Sequence, residues 1–177
     1  MDLYHATDIY FEEFDPEKAK DFKDFGKGYY LTSNLEQALS WARNKGKITE
    51  TSYVYRYSFI IEDATDLSIK ELIEYNEEWV RFLRDNRILG LDTPYDLVYD
   101  RMADSTFPNI SKYLNDYDAG IISENDVIAK LRIEDVKYDQ YCFKTERARE
   151  YLKNRKVIIQ HKNLEGNWEI YTDENTE

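Results

Sequence analysis

Three places in this 177-residue chain set a polar or aromatic group on a strand-like segment where a ligand could use it. They are His5, the pair Tyr29 and Tyr30 behind Gly26 and Gly28, and Gln140. A histidine can present one donor and one acceptor, a tyrosine a flat ring and a hydroxyl, and a glutamine amide both signs of hydrogen bond. Taken singly, each has an ordinary structural reading. A lone histidine at a strand end is structural or solvated, a tyrosine in a chain with 16 of them is core, and a buried glutamine is a satisfied amide. Gly-x-Gly by itself is a turn signal, and it lacks the spacing of a dinucleotide fingerprint or a P-loop. One cysteine, Cys142, forms no internal disulfide, and two histidines give no metal-ligand spacing. Cys142 reads as a small apolar filler, His161 as an exposed strand residue, and Glu77-Glu78-Trp79 as a helix surface with one buried aromatic.

The elements that must carry these residues follow from periodicity. Leu3-Tyr4-His5-Ala6-Thr7 is a short strand that ties the N-terminus into a sheet, and residues 8–23 read as a loop with at most one helical turn. Asp24-Phe25-Gly26-Lys27-Gly28 spends two of the chain's six glycines on one turn, which predicts a positive φ or a close approach of backbone to a ligand. Tyr29-Tyr30-Leu31-Thr32 continues as a strand. Ser33-Asn34-Leu35-Glu36 then has the form of a capping box for a helix from Ser33 to Lys45, stopped by Gly46.

Alternation from Thr51 to Ile61 predicts the longest strand. Ser68-Ile69-Lys70-Glu71 has the form of a second capping box, opening a helix that carries Ile69, Leu72, Ile73, Val80 and Leu83 on one face and ends near Arg87. Strands over Tyr95–Tyr99 and Val136–Lys144 and helices over 109–118 and 123–131 follow. Thr145 caps a helix over Glu146–Leu152, two terminal strands lie within 155–171, and a frayed tail covers 172–177. With no repeat, low-complexity tract or linker, this predicts one domain over 1–177. The mixed order of elements predicts an α+β fold rather than a doubly wound sheet.

Aromatic content of 15% argues for a packed core despite 34% charged residues. A net charge of −12 disfavours broad attraction to nucleic acid or anionic membranes. No apolar run approaches a membrane span and the first residues lack a signal-peptide form, so the expectation is a cytoplasmic protein with no membrane partner.

Three segments, Leu3-Tyr4-His5-Ala6-Thr7, Phe25-Gly26-Lys27-Gly28-Tyr29-Tyr30 before a helix, and Asp139-Gln140-Tyr141-Cys142-Phe143, together resemble the catalytic core of ADP-ribosyltransferases of the His-Tyr-Glu type. That group includes diphtheria-toxin-like enzymes and poly(ADP-ribose) polymerases. The whole chain looks most like a small bacterial branch of it, some members of which are suspected toxins. The resemblance implies a split, mostly antiparallel sheet with NAD, as co-substrate, in the cleft between its halves. It implies that His5 hydrogen-bonds a ribose hydroxyl, that the backbone of Ala6 holds the nicotinamide carboxamide, with Thr7 beside it in the binding set, that Tyr30 stacks on that ring, and that Trp41 offers the other face. Gly26, Gly28 and Tyr29 complete the implied binding set, with His5, Tyr30 and Gln140 in the catalytic positions and no metal. Register implies that Tyr30, not Tyr29, faces the ligand.

Departures from that pattern define the alternatives. Ala6 stands where the family often has glycine, and Ala38 where relatives place a serine. Gln140 takes the place of the catalytic glutamate, and an amide cannot act as a base or offset a positive charge. Poly(ADP-ribose) elongation is therefore not expected. Asp139 and Glu146 are weak candidates to supply the missing carboxylate, since alternation turns Asp139 away from Gln140. The leading expectation is a mono-ADP-ribosyltransferase acting on a protein or nucleic-acid acceptor, as the toxic half of a toxin–antitoxin or phage-defence system with a cognate antitoxin. Charge tilts the acceptor toward protein, although Lys18, Lys20, Lys23 and Lys27 could rim one side of the cleft. One alternative is a catalytically silent module that binds NAD, ADP-ribose or a protein, and another is an acidic mimic of nucleic acid.

Overall fold

Alternating apolar positions and glycine stops resolve into strands and helices in the structure, a computed structural model that describes residues 1–15, 18–91, 93–103, 109–132 and 139–172. The first half contains β1 (Asp2–Thr7), β2 (Tyr29–Leu31), α1 (Leu35–Lys45), β3 (Thr51–Ser58), β4 (Ile69–Leu72) and α2 (Glu77–Arg87). The second half contains β5 (Leu97–Asp100), α3 (Ile110–Asp118), α4 (Glu124–Leu131), β6 (Gln140–Phe143), α5 (Glu146–Arg149), β7 (Lys153–Lys162) and β8 (Trp168–Thr172).

These strands form two four-stranded sheets, in the orders β1-β3-β7-β8 and β2-β6-β5-β4. All the pairings are antiparallel except β4 with β5. The architecture is α+β with mostly antiparallel sheets. Among the described residues, one backbone bridge joins the sheets, where Tyr4 and Thr32 exchange hydrogen bonds of 2.8 and 3.0 Å.

Alternation along the strands sets the layers. Leu3, Tyr55, Tyr57 and Val157 of the first sheet meet Tyr29, Leu31, Tyr141 and Phe143 of the second in one aromatic-rich core. On the far side of the first sheet, Ala38 and Ala42 bury α1 against Ala6 and Val54, and their small side chains allow close approach. On the far side of the second sheet, Trp79, Val80 and Leu83 of α2 pack with Leu114 of α3, Val127 of α4 and Val98 of β5. Trp79 is fully buried and its indole N–H donates to the Arg101 carbonyl at 2.9 Å. Truncating such a side chain to alanine typically costs about 3–5 kcal/mol.

The structure corrects several local expectations. The first capping signal shifts by one residue: Asn34, not Ser33, accepts from the Gln37 N–H at 3.1 Å, while Ser33 is drawn to Asp139. The second opens no helix. Ile69–Leu72 is strand β4, because it pairs in parallel with Leu97–Asp100, and Asn76 caps α2 instead. Here tertiary pairing outweighs a local capping pattern worth only about 1 kcal/mol. The longest strand is β7, with ten residues against eight in β3. The strand expected over Tyr95–Tyr99 starts and ends later, at Leu97 and Asp100, because Asp96 turns into a loop and holds Ser68 N–H at 2.9 Å. The helix after Thr145 is a single turn, Glu146–Arg149. Residues 136–138 of the expected strand, and 173–177 of the expected tail, lie outside the described residues.

Candidate active site

Antiparallel pairing alternates which edge a residue's backbone faces. Tyr4 bonds Thr32 rather than β3, so Ala6, two residues on, turns its carbonyl to the same side. There it accepts from Lys45 Nζ at 2.6 Å. Past the bridge β1 and β2 part, and a cavity of about 650 Å³ opens, within the range of small-molecule sites. His5, Ala6, Thr7, Gly28, Tyr30, Trp41 and Gln140 all line it. Residues 135 positions apart thereby share one wall, since β6 pairs with β2 and β2 is bridged to β1.

His5 has a defined orientation. Its Nδ1 lies 2.7 Å from the Tyr30 carbonyl oxygen, which can only accept, so Nδ1 carries the proton and Nε2 is the acceptor. Burial, then the Lys45 ammonium, lower its pKa to about 3, so the ring is neutral near pH 7. Tyr29 supports it from the core at a ring-centroid distance of 4.3 Å.

Tyr30 and Tyr29 divide their duties by alternation. Tyr30 lines the cleft, and its hydroxyl donates to the Gly26 carbonyl at 2.6 Å and accepts from Phe25 N–H at 3.0 Å, pinning the glycine turn. Burial holds its phenol well above the usual range, so it is un-ionised. Tyr29 is buried away from the cleft, with its hydroxyl 3.2 Å from that of Tyr57.

The two glycines have structural reasons to be glycine. Gly26 has φ +82°, and a side chain there would meet Asn86 Oδ1 at 2.6 Å; it lies in an adjoining hollow and not in the main cleft. A Cβ on Gly28 would stand 2.5 Å from Cys142 Sγ, so this glycine lets β2 close on β6. Cys142 is fully buried there, and its thiol is pushed up to about 12 by that burial. Ala38 is fully buried on the inner face of α1, against the first sheet.

The suspected helper carboxylates lie elsewhere. Asp139 accepts from Ser33 N–H and Thr32 Oγ1, each at 2.8 Å, and so fastens the start of β6 to the turn before α1. Glu146 is exposed in the first turn of α5. Opposite Gln140 in the β5–β6 register stands Asp100, and the carboxylate hydrogen-bonded to Gln140 is Asp24, which lines the cleft and is nearly buried. Its Oδ2 receives the Gln140 Nε2 at 3.3 Å, and its Oδ1 is paired with Arg87. Sequence reasoning missed Asp24, Arg87 and Lys45. The one local signal was an acid two residues before Gly26; Arg87 and Lys45 are brought in by the ends of α2 and α1.

Cations gather on this rim. Lys18, Lys20 and Lys23 line the cleft as the sequence suggested, and Lys27 lies on the adjoining hollow. Desolvation lowers Lys23, followed by the charges of Lys20 and Arg87 and opposed by Asp24; desolvation also lowers Lys45, opposed by Asp8 and reinforced by Lys23 and Lys20. Such mutual crowding of positive charge favours an anion. Among the described residues no group of three or more His, Cys, Asp or Glu could hold a metal ion, and no helix is long and apolar enough to cross a membrane.

Architecture and site together define an α+β protein with mostly antiparallel sheets and a cleft where the two sheets part. Residues 1–154 match the model of the family described as "Protein of unknown function (DUF3990)", and the chain belongs to that family. Neither the curated proteins nor the solved structures contain a match.

Proposed function

We propose that this protein is an NAD-dependent mono-ADP-ribosyltransferase. The observation that carries the reading is His5: its Nδ1–H is spent on the Tyr30 carbonyl, which leaves Nε2 as a fixed acceptor in a cleft walled by Tyr30 and Trp41. A neutral imidazole suits a ribose hydroxyl, which would donate to Nε2. The open edge of β1 at Ala6 suits a carboxamide, which would displace the Lys45 ammonium from the Ala6 carbonyl. Lys20, Lys23 and Lys45 suit a diphosphate.

NAD would supply an activated ribose carbon whose leaving group is a flat, cationic aromatic ring. The chain's part is to hold that ring between aromatic side chains, to orient the ribose through His5, and to exclude water. It must also stabilise the positive charge that grows on the ribose, since only interactions stronger in the transition state accelerate the step.

The test is nicotinamide release from NAD by the purified protein, with a cell lysate as acceptor source. Turnover in the wild type that falls by about 100-fold or more in His5→Ala and Tyr30→Ala is expected. The labelled lysate component, protein or nucleic acid, then identifies the acceptor. Growth arrest on expression, relieved by His5→Ala, is the outcome expected if the transferase acts as a toxin. A second reading, a silent NAD-binding module, is favoured by the amide at Gln140. It predicts that NAD raises the melting temperature with no turnover in any lysate.

A further inference from the structure

An amide stands at residue 140, and its surroundings supply a reason. The Asp24 side chain is 9% exposed and lines the cleft beside Gln140. An ionised carboxylate only accepts hydrogen bonds, so its neighbours must donate. Arg87 donates to Oδ1 and the Gln140 amide donates to Oδ2 at 3.3 Å. A glutamate at position 140 would set two like charges side by side in a nearly buried site and would leave Asp24 Oδ2 without its donor. Asp24 thus holds Arg87 on one oxygen and a neutral amide on the other, and all three side chains line the cleft.

We propose that Asp24 is the catalytic carboxylate of this cleft, moved from the strand to the turn before Gly26, and that Gln140 is the amide that positions it. The proposal rests on the transferase reading. In the transfer, the bond between the nicotinamide nitrogen and the ribose carbon breaks, and its electron pair leaves with the nicotinamide, which departs neutral. A lone pair on the acceptor forms the new bond to that carbon, and the acceptor's proton passes to water. Asp24 offsets the positive charge on the ribose while both bonds are weak. The Gln140 Nε2–H fixes the Oδ2 edge and leaves Oε1 as an acceptor for a ribose hydroxyl. Lys45 and Lys23 cannot do this work, having the wrong sign, and Asp139 is held by Ser33 and Thr32. Asp8, Glu13 and Asp15 also line the cleft and Asp100 stands opposite Gln140, but Asp24 is the acid that the Gln140 amide holds.

A carboxylate–amide swap tests this. Wild type, Asp24→Asn, Gln140→Glu and the double variant Asp24→Asn/Gln140→Glu are compared for nicotinamide release, for kcat against KM, and for stabilisation by NAD. Asp24→Asn should lose about 100-fold or more in kcat, with KM within about threefold of wild type, because the charge matters chiefly in the transition state. Gln140→Glu should gain nothing, since it removes the amide donor from Asp24 and sets a like charge against it. The double variant, which keeps one carboxylate and one amide with their places exchanged, should recover at least about tenfold over Asp24→Asn. If Asp24→Asn melts early because Arg87 has lost its partner, Asp24→Asn/Arg87→Gln leaves no orphan charge and should be equally slow. Turnover by Asp24→Asn within threefold of wild type, while His5→Ala is dead, overturns the role of Asp24 and leaves the transferase standing. A wild type that turns over no NAD overturns both.

Discussion

His5 shows how one side chain couples chemistry to stability. In an unfolded chain a histidine takes up a proton near pH 6.5, whereas burial and Lys45 delay His5 to about pH 3 in the fold. Between those values the unfolded state holds the extra proton, so the sign is fixed. His5 costs nothing above about pH 6.5, and stability falls as the pH drops from there toward 3, by at most about 1.4 kcal/mol per pH unit. His5→Gln, which keeps a donor and an acceptor but does not titrate, should show a shallower loss of melting temperature between pH 6.5 and 4 than wild type. Equal slopes would mean that His5 is not held neutral. Acid should also weaken ligand binding through His5, because imidazolium has no lone pair left for a ribose hydroxyl.

At the scale of elements, the cleft depends on how closely β2 lies against β6. Gly28 makes that approach possible, and an alanine Cβ there would stand 2.5 Å from Cys142 Sγ and 3.1 Å from the Phe143 carbonyl oxygen. Gly28→Ala should therefore cost about 1–3 kcal/mol in urea denaturation, as overpacking does. Adding Cys142→Ala should return part of that, since the sulfur goes but the carbonyl stays. No loss in the single variant would mean that β2 can move away from β6 at little cost. The same strand carries Tyr30, so nicotinamide release should fall with stability in Gly28→Ala.

For the whole molecule, charge is distributed unevenly. The chain carries −12 in total, yet Lys20, Lys23 and Lys45 meet around one cavity, which Asp8, Glu13, Asp15 and the Asp24–Arg87 pair also line. An anion reaching that rim interacts with solvent-exposed lysines, so its binding should weaken as sodium chloride rises from about 50 to 500 mM, as the Debye length shortens. Lys20→Met/Lys23→Met should bind ADP-ribose about 3- to 10-fold more weakly and lose much of that salt dependence, in keeping with modest energies for exposed charges. Isothermal titration at two salt concentrations measures both effects, and an unchanged affinity would remove these lysines from the site.

Local sequence determined much of this protein because some features need only neighbours in the chain. Period-two alternation set β1 and β3, helical spacing with a glycine stop set α1, Ser123 and Asp126 formed the capping box of α4, and Thr145 capped α5. Alternation also separated Tyr30 in the cleft from Tyr29 in the core. Other outcomes depended on partners far away. Ile69–Leu72 became a strand only because β5 offered it a parallel edge, and Ser33 left its capping position for Asp139, 106 residues on. The cleft's charged groups belong to this second kind. Asp24 meets Gln140 across 116 residues and Arg87 across 63, and nothing in a window of neighbours specifies a contact of that length. Only the closing of β2 on β6, with the end of α2 beside them, put a carboxylate next to the amide at 140.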